Sequence, residues 1–172
     1  MLANDQRAGD GKAFIIVRKF QAPRDLVWKA WSEPERLKEW WGPKGCRLRV
    51  ERLEFRPGGF FHYAMEFSNG PGMWGRFMYR DIVAPESLSW LNSFSNERCG
   101  ITRAPFSEYC PLEISNTVTM TEGAGATTVT LRAIPQGETP EERKYFEELT
   151  PSLEQGYGGT FEMLTQYLAG LG

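Results

Sequence analysis

The stretch that most constrains the fold is TPSLEQGYGGTFEMLTQYLAGL, residues 150–171. Its apolar residues recur every three or four positions, which predicts one long amphipathic helix. The apolar stripe consists of Leu153, Tyr157, Phe161, Leu164, Leu168 and Leu171. Gly156, Gly158 and Gly159 interrupt it, each at a helix cost of about 1 kcal/mol relative to alanine. We therefore expect these glycines either to kink the helix or to admit the close approach of another backbone.

Upstream of this helix the apolar period changes to two, which indicates strands. Strands are predicted at 13–20, 46–55, 60–67, 73–83, 88–95, 112–122 and 126–134, with turn signals such as Arg56-Pro57-Gly58-Gly59 and Gly123-Ala124-Gly125 between them. Strand and turn repeated at this spacing indicate an antiparallel meander. Residues 96–111 are predicted to be a long loop, and loops of that length often act as lids or contacts.

Two further helical regions are predicted. Two short helices occupy about residues 22–41, and Ser32 is expected to cap the second of them. Near the C-terminus, Thr139 is expected to be an N-cap because a first-turn proline and two acidic residues follow it. The threonine–proline pair at Thr150 predicts a break before the long helix.

Together these elements predict an α+β fold. A curved seven-stranded antiparallel sheet is expected to wrap around the long C-terminal helix, with two short helices after the first strand. Residues 1–12 are predicted to be a flexible N-terminal tail, and 13–172 a single domain. This arrangement leaves a cavity between the sheet and the helix. Trp28 with Trp31, and Trp40 with Trp41, are expected to pack the short helices over one mouth of it.

The composition excludes several classes of protein. The chain has 20 Lys and Arg against 22 Asp and Glu, a net charge of −2, so a nucleic-acid partner is not expected. No apolar run approaches the roughly 18 residues that span a bilayer, so membrane insertion is not expected either. The N-terminus has no signal-peptide core, which favours a cytoplasmic location.

Metal, cofactor and triad chemistry are also not expected. His62 is the single histidine, so no site can use two imidazoles. The three cysteines, Cys46, Cys99 and Cys110, are odd in number and widely spaced, which is not a disulfide framework. A Cys99–Cys110 bridge stays open as an alternative, but buried or idle thiols are favoured in a reducing compartment. The sequence contains neither a phosphate-binding glycine loop nor a nucleophile elbow, and catalytic residues are unknown.

Strand alternation predicts which side chains face the cavity. The inward set is Phe61, Tyr63, Met65, Phe67, Met73, Gly75, Phe77, Tyr79, Leu88, Trp90, Asn92, Phe94, Ile114, Asn116, Val118, Met120, Val129, Leu131 and Ala133. His62 falls on the outer face and is expected at the surface or an edge. Asn92 and Asn116 are polar exceptions on apolar faces, and a buried amide without partners costs about 1–3 kcal/mol. They must therefore meet each other, backbone, water at the open end of the sheet, or a ligand.

A run beginning at Phe20 reads F-x-A-P-x-x-x-V-W-x-A-W-S-x-P-E-x-L-x-x-W-W-G-P. Further motifs are Arg56-Pro57-Gly58-Gly59, Gly75-x-x-x-Tyr79-Arg80-Asp81-Ile82 with Pro85-Glu86-x-Leu88, and Gln155-Gly156-Tyr157-Gly158-Gly159-Thr160. Over about residues 13–170 this combination resembles the activator-of-heat-shock-ATPase-like family of the SRPBCC superfamily. The resemblance implies a helix-grip fold, shared with START-type lipid-binding domains and the birch pollen allergen. Tyr157 stands where the family often has tryptophan.

The resemblance also implies a function, since superfamily relatives bind hydrophobic small molecules. We expect a small hydrophobic or aromatic molecule in the cavity, and a homodimer is permitted. The candidate ligand-binding residues are Tyr63, Met65, Phe77, Tyr79, Trp90, Asn92, Asn116, Tyr157 and Phe161. For the tyrosines, plain core packing with a hydrogen-bonded hydroxyl is the alternative. Two other functions stay open, a polyketide cyclase- or hydrolase-like enzyme in the same cavity and a protein-binding regulator of a chaperone ATPase.

Overall fold

The computed structural model describes residues 13–42, 45–68, 70–136 and 139–171. Its strands are β1 (Phe14–Phe20), β2 (Cys46–Leu53), β3 (Phe60–Phe67), β4 (Gly70–Val83), β5 (Ser87–Ser95), β6 (Ile101–Thr102), β7 (Ile114–Gly123) and β8 (Ala126–Pro135). Its helices are α1 (Arg24–Ser32), α2 (Pro34–Trp40), α3 (Pro140–Glu148) and α4 (Thr150–Leu171). The tail predicted for residues 1–12 lies outside the described residues, and the single-domain boundary stays a prediction.

The strands form one antiparallel sheet in the order β1-β8-β7-β5-β4-β3-β2, and the short β6 pairs with the end of β5. Helix α4 packs on the inward face of this sheet. Tyr157 of α4 stacks on Phe14 of β1 with ring centroids 5.5 Å apart, and Phe161 meets Phe20 edge-on at 6.0 Å. The predicted α+β helix-grip architecture is therefore confirmed, with β6 as an eighth strand inside the segment predicted to be a loop.

The strand register confirms the predicted inward face. Five aromatic residues of this face are each at most 3 % exposed: Phe61, Tyr63, Phe77, Tyr79 and Trp90. The hairpin between β7 and β8 turns at Ala124 and Gly125, whose φ values of 54° and 78° are both left-handed. Two left-handed residues match the right-handed twist of the flanking strands, which is why this short turn closes the hairpin.

Of the two helix caps predicted from the sequence, one is wrong and one is confirmed. Ser32 is the last residue of α1, and its hydroxyl donates to the carbonyl of Trp28 at 2.9 Å. The expected cap is therefore wrong: Glu33 is the N-cap of α2 and makes no side-chain cap hydrogen bond. A serine hydroxyl can satisfy a carbonyl four residues back instead of capping the next helix. Thr139 is confirmed as an N-cap, and with Glu142 it forms a reciprocal capping box.

The segment between β5 and β7 is tied to the body of the protein. Arg103 Nη1 donates to the carbonyl of Cys110 at 3.0 Å and also pairs with the carboxylate of Glu142 on α3. The ring of Phe106 meets Phe94 edge-on at 5.6 Å. Because these contacts and β6 hold it, the segment is ordered against the sheet and α3.

Most inward aromatic rings fill the core. Trp31 lies among Trp40, Trp90 and Phe161, with ring centroids 4.7, 5.8 and 6.3 Å away. Trp31 and Trp40 are only 1 % exposed, so the expectation that both tryptophan pairs cover a cavity mouth is wrong for them. The two short helices, α1 and α2, therefore carry these two rings into the core.

Candidate functional site

A cavity of about 290 Å³ lies between the sheet and the first half of α4. Its walls come from the connection between α2 and β2, from β3, β4 and β5, and from α4. The lining residues are Trp41, Gly42, Tyr63, Met65, Met73, Asn92, Phe94, Ser152, Leu153, Gly156, Tyr157 and Thr160. Ser152 is exposed and marks the open side. The volume is just below the range of about 300–1,000 Å³ that is typical of ligand sites.

The sheet wall depends on a close approach between two strands. Met65 and Met73 are directly paired across β3 and β4, as are Tyr63 and Gly75. A Cβ at Gly75 would lie 2.7 Å from both Cζ and Oη of Tyr63. Only glycine therefore lets the tyrosine ring lie flat over β4 and form the floor of the cavity.

The helix wall is fixed to the chain that follows α2. Thr160 Oγ1 lies 3.1 Å from the carbonyl oxygens of both Gly42 and Gly156. Gly42 has a φ of 104°, which favours glycine, and a Cβ there would lie 3.3 Å from Cys46 Sγ. The threonine hydroxyl thus holds α4 and the α2–β2 connection together at the edge of the cavity.

Tyr157 of the lining forms a buried polar pair with Asn116 behind it. The Tyr157 hydroxyl donates to Asn116 Oδ1 at 3.2 Å, and Asn116 Nδ2 donates to the carbonyl of Ile114 at 3.2 Å. Asn116 is 0 % exposed, so it meets a hydroxyl and the backbone rather than water at an open end. Burial raises the pKa of Tyr157 well above its ordinary value, which keeps the phenol protonated and able to donate.

Tyr63 is also a neutral phenol. Burial raises the pKa of Tyr63 to about 12, and a hydrogen bond with the Trp41 side chain offsets part of that rise. At neutral pH the two cavity tyrosines are therefore hydrogen-bonding groups and not bases.

The nine candidate binding residues separate into three groups. Those that line the cavity are Tyr63, Met65, Asn92 and Tyr157. Asn116 stands behind Tyr157. The remaining four, Phe77, Tyr79, Trp90 and Phe161, are at most 1 % exposed and belong to the aromatic core. Phe77, for example, stacks on Trp90 with centroids 4.5 Å apart. These four can influence a ligand only through the residues in front of them.

Three buried polar atoms of the aromatic core have no hydrogen-bond partner within the described part of the chain. They are Tyr79 Oη, Trp31 Nε1 and Trp90 Nε1. Burial strongly raises the pKa of Tyr79, so its hydroxyl is a neutral group held in apolar surroundings. Unpaired buried polar groups are uncommon and destabilising.

The glycines of α4 are not explained by close packing. Among the described residues, and leaving aside the backbone of α4 itself, a Cβ at Gly156 or Gly159 would meet no atom within 4 Å, and one at Gly158 would meet only Arg18 Nη2 at 3.5 Å. The expected close approach of another backbone is therefore wrong. Gly156 instead contributes empty space to the cavity.

Sequence reasoning missed eight of the lining residues. They are Trp41, Gly42, Met73, Phe94, Ser152, Leu153, Gly156 and Thr160. Met73 and Phe94 do lie on faces that strand alternation predicts to be inward, so a signal for them was present. Trp41 was expected over a mouth of the cavity, and Leu153 belongs to the predicted apolar stripe of α4. The other four depend on how α4 and the α2–β2 connection sit on the sheet, which periodicity does not determine.

The outer face of the sheet holds the single histidine. His62 lies on the predicted face but is only 4 % exposed, so the expected surface position is wrong. Its ring stacks on Trp74 at 4.8 Å, and its Nε2 lies 3.0 Å from the carbonyl oxygen of Asn96. The chain that follows β5 covers this ring.

A separate surface groove of about 450 Å³ lies between α2 and β2. It is lined largely by charged side chains, and several of these are already paired, such as Arg49 with Glu66 at 3.1 Å.

All three cysteines are free. Within the described ranges, no three or more His, Cys, Asp or Glu side chains form a group that could hold a metal ion. None of the described helices is both long and apolar enough to cross a membrane.

Comparison with known proteins identifies the family. Residues 21–169 match the family described as Activator of Hsp90 ATPase homolog 1-like protein. The chain belongs to this family. The match to the Activator of Hsp90 ATPase homolog 1-like family includes every lining residue of the cavity, and it confirms the family resemblance found in the sequence. No match is found among curated proteins.

Solved structures share the fold of this family member. A protein from Arthrobacter aurescens has 25% identity and a TM-score of 0.76, with 91% of this chain and 86% of that chain covered. Protein Ms6760 from Mycobacterium smegmatis has 22% identity and a TM-score of 0.75, with 95% and 94% covered. DynU16, a putative protein in the dynemicin biosynthetic locus, has 22% identity and a TM-score of 0.60, and the match covers 91% of this chain and 47% of DynU16.

Proposed function

We propose that this protein binds a small hydrophobic molecule in the cavity between the sheet and α4. The observation that carries the proposal is Gly156. A glycine inside a helix costs about 1 kcal/mol relative to alanine, yet among the described residues no atom outside the backbone of α4 lies within 4 Å of the place where a Cβ would stand. The fold would tolerate a side chain there, and the cavity would become smaller. A position that gives up stability and keeps a pocket open is typical of a functional site.

The size and lining of the cavity support a compact ligand. A cavity of about 150 Å³ holds one benzene ring, and this cavity has about 290 Å³. The space therefore suits a molecule of one or two rings. Its walls are polarizable and aromatic, which favours flat apolar ligands. The side chains that form them include Met65, Met73, Trp41 and Phe94.

Binding can be tested with naphthalene as a probe of this size. We expect naphthalene to saturate a single site, to change tryptophan fluorescence through Trp41, and to raise the thermal midpoint. Gly156→Leu fills the cavity and should abolish the response. Gly159→Leu is the matched control because it improves the same helix at a position that does not line the cavity. An equal response in both variants, or no saturable binding by the wild type, contradicts the proposal.

A cytoplasmic setting is part of this proposal, and the three unpaired cysteines support it because free thiols persist in a reducing compartment.

The two alternative functions gain less support. The lining residues of the cavity offer no acid–base pair, since both tyrosines stay protonated at neutral pH. Regulation of a chaperone ATPase depends on the family description alone, and an ATPase rate that is unchanged in the presence of this protein would discard it.

A further inference from the structure

The described residues that line the cavity are uncharged, and one of them is an asparagine whose amide has no hydrogen-bond partner among the described residues. None of the twelve lining residues carries a charge, so a charged group placed among them would lose its hydration without gaining a counter-ion. Such burial costs several kcal/mol for an ionised carboxylate or ammonium. The lining therefore selects against fatty acids, other carboxylates and amines, although it favours apolar bulk.

Asn92 is the unpartnered side chain. Its amide projects from β5 into the cavity, and no hydrogen bond joins it to any residue in the described ranges. Asn116 is different, because both ends of its amide are engaged. The two asparagines lie diagonally across β5 and β7, since Trp90 pairs with Asn116 and Asn92 with Ile114. Because the amide of Asn116 is already hydrogen-bonded, the amide of Asn92 is the one that is available to a ligand.

The neighbouring phenols complete a polar patch. The Tyr157 proton is directed to Asn116 Oδ1, so its oxygen can still accept a hydrogen bond. Tyr63, with a pKa of about 12, remains a neutral phenol on the same lining. An amide and two neutral phenols can recognise a hydroxyl or carbonyl group without needing any charge on the ligand.

We infer that the ligand is an uncharged one- or two-ring molecule with one hydroxyl or carbonyl group, and that Asn92 recognises this group. The inference rests on the proposed ligand-binding function and adds the polarity of the ligand to it. Asn92 then distinguishes ligands that carry the polar group from those that lack it. The aromatic and methionine walls contribute an affinity that does not depend on this group.

Three probes of the same shape separate these contributions at neutral pH: naphthalene, 2-naphthol and 2-naphthoate. We expect 2-naphthol to bind about threefold to tenfold more tightly than naphthalene, as one hydrogen bond would give. We expect 2-naphthoate to bind at least about tenfold more weakly than 2-naphthol. In Asn92→Leu the ratio of 2-naphthol affinity to naphthalene affinity should fall to about one, and circular dichroism with a thermal midpoint checks independently that the variant is folded.

The outcomes distinguish this inference from the function on which it rests. If all three probes bind and Asn92→Leu leaves the naphthol-to-naphthalene ratio unchanged, the inference is overturned while cavity binding stands. The same holds if 2-naphthoate binds as tightly as 2-naphthol. If neither neutral probe binds the wild type, the proposed function fails and the inference fails with it.

Discussion

The phenol of Tyr157 on α4 donates a hydrogen bond of 3.2 Å to Oδ1 of Asn116 on β7. This contact joins the C-terminal helix to the middle of the sheet through two buried polar groups. It also occupies the position where the sequence resemblance leads one to expect tryptophan. The pair predicts a specific pattern of stability changes.

Replacing Tyr157 by phenylalanine should destabilise the protein by about 1–3 kcal/mol, because Asn116 Oδ1 would then be buried without a partner. Tyr157→Phe combined with Asn116→Leu should cost less than the sum of the two single changes. Urea unfolding of the four proteins measures this coupling. Additive effects would show that the two groups do not depend on each other.

Tyr79→Phe should have the opposite sign. The Tyr79 hydroxyl is buried and has no partner among the described residues, so its removal relieves a desolvation cost. We expect a gain of about 1 kcal/mol in the free energy of unfolding. Tyr157→Phe is the matched comparison, since it deletes the same atom from another buried tyrosine. A loss of stability in Tyr79→Phe would indicate that its hydroxyl is satisfied in solution.

Gly75→Ala should destabilise the protein by about 1–3 kcal/mol, because its Cβ would lie 2.7 Å from Cζ and Oη of Tyr63. In a Tyr63→Leu background those two atoms are absent, and the same substitution should be nearly neutral. Chemical unfolding of both pairs gives the two differences. Equal costs in the two backgrounds would place the strain in the backbone of β4 instead.

The ion pair between Arg103 and Glu142 predicts a dependence of stability on pH. A hydrogen bond from Arg103 lowers the pKa of the Glu142 carboxyl below its usual value. A lowered folded pKa means that the pair contributes fully above the unfolded pKa, about 4.3, and loses its contribution as pH falls through the folded pKa. Wild type should therefore be more stable than Glu142→Gln at neutral pH, and the difference should vanish in acid.

Glu141→Gln is the control for that measurement. Glu141 lies in the same first turn of α3 but is exposed. Its removal should give a smaller difference at neutral pH than Glu142→Gln, because its carboxylate is exposed to solvent. A Glu142→Gln difference that stays constant between neutral and acid pH would argue against the ion pair as its source.

The cysteines should differ in their reaction with iodoacetamide. Cys110 is 5 % exposed, and burial raises the pKa of its thiol, whereas Cys99 is half-buried on the segment after β5. Thiolate is the reactive form, so Cys99 should be alkylated well before Cys110. Peptide mapping over time measures the order. Faster alkylation of Cys110, or a Cys99–Cys110 disulfide in the native protein, would contradict the structure.

Strand alternation predicted the inward face correctly because side-chain direction in a strand has a period of two, independent of distant contacts. It placed Tyr63, Met65 and Asn92 on the side where the cavity lies. The same rule could not separate them from Phe77 or Trp90. All five face inward, and only the packing of α1 and α2 decides which of these side chains is covered by tryptophan.

The error on the histidine comes from contact between segments far apart in sequence, whereas the error on Ser32 has a local cause, a hydrogen bond to the carbonyl four residues back. His62 was expected at the surface, but the carbonyl of Asn96 reaches it from 34 residues away. The glycines of α4 were expected either to kink the helix or to admit another backbone, yet a Cβ at Gly156 would meet no described atom within 4 Å apart from the backbone of its own helix. Local patterns determine the direction of a side chain, and tertiary contacts determine its neighbours.

Phe77 has a position that affects how this family can diversify. Its ring meets those of two lining residues, Trp41 at 5.1 Å and Tyr63 at 5.9 Å. Its other aromatic neighbours are Phe61, Tyr79 and Trp90. A smaller residue at this position would let both lining rings settle deeper, and the pocket would widen although its surface residues stayed the same. We therefore expect relatives with matching pocket walls to accept molecules of different size, according to the size of the residue at the position of Phe77 behind those walls.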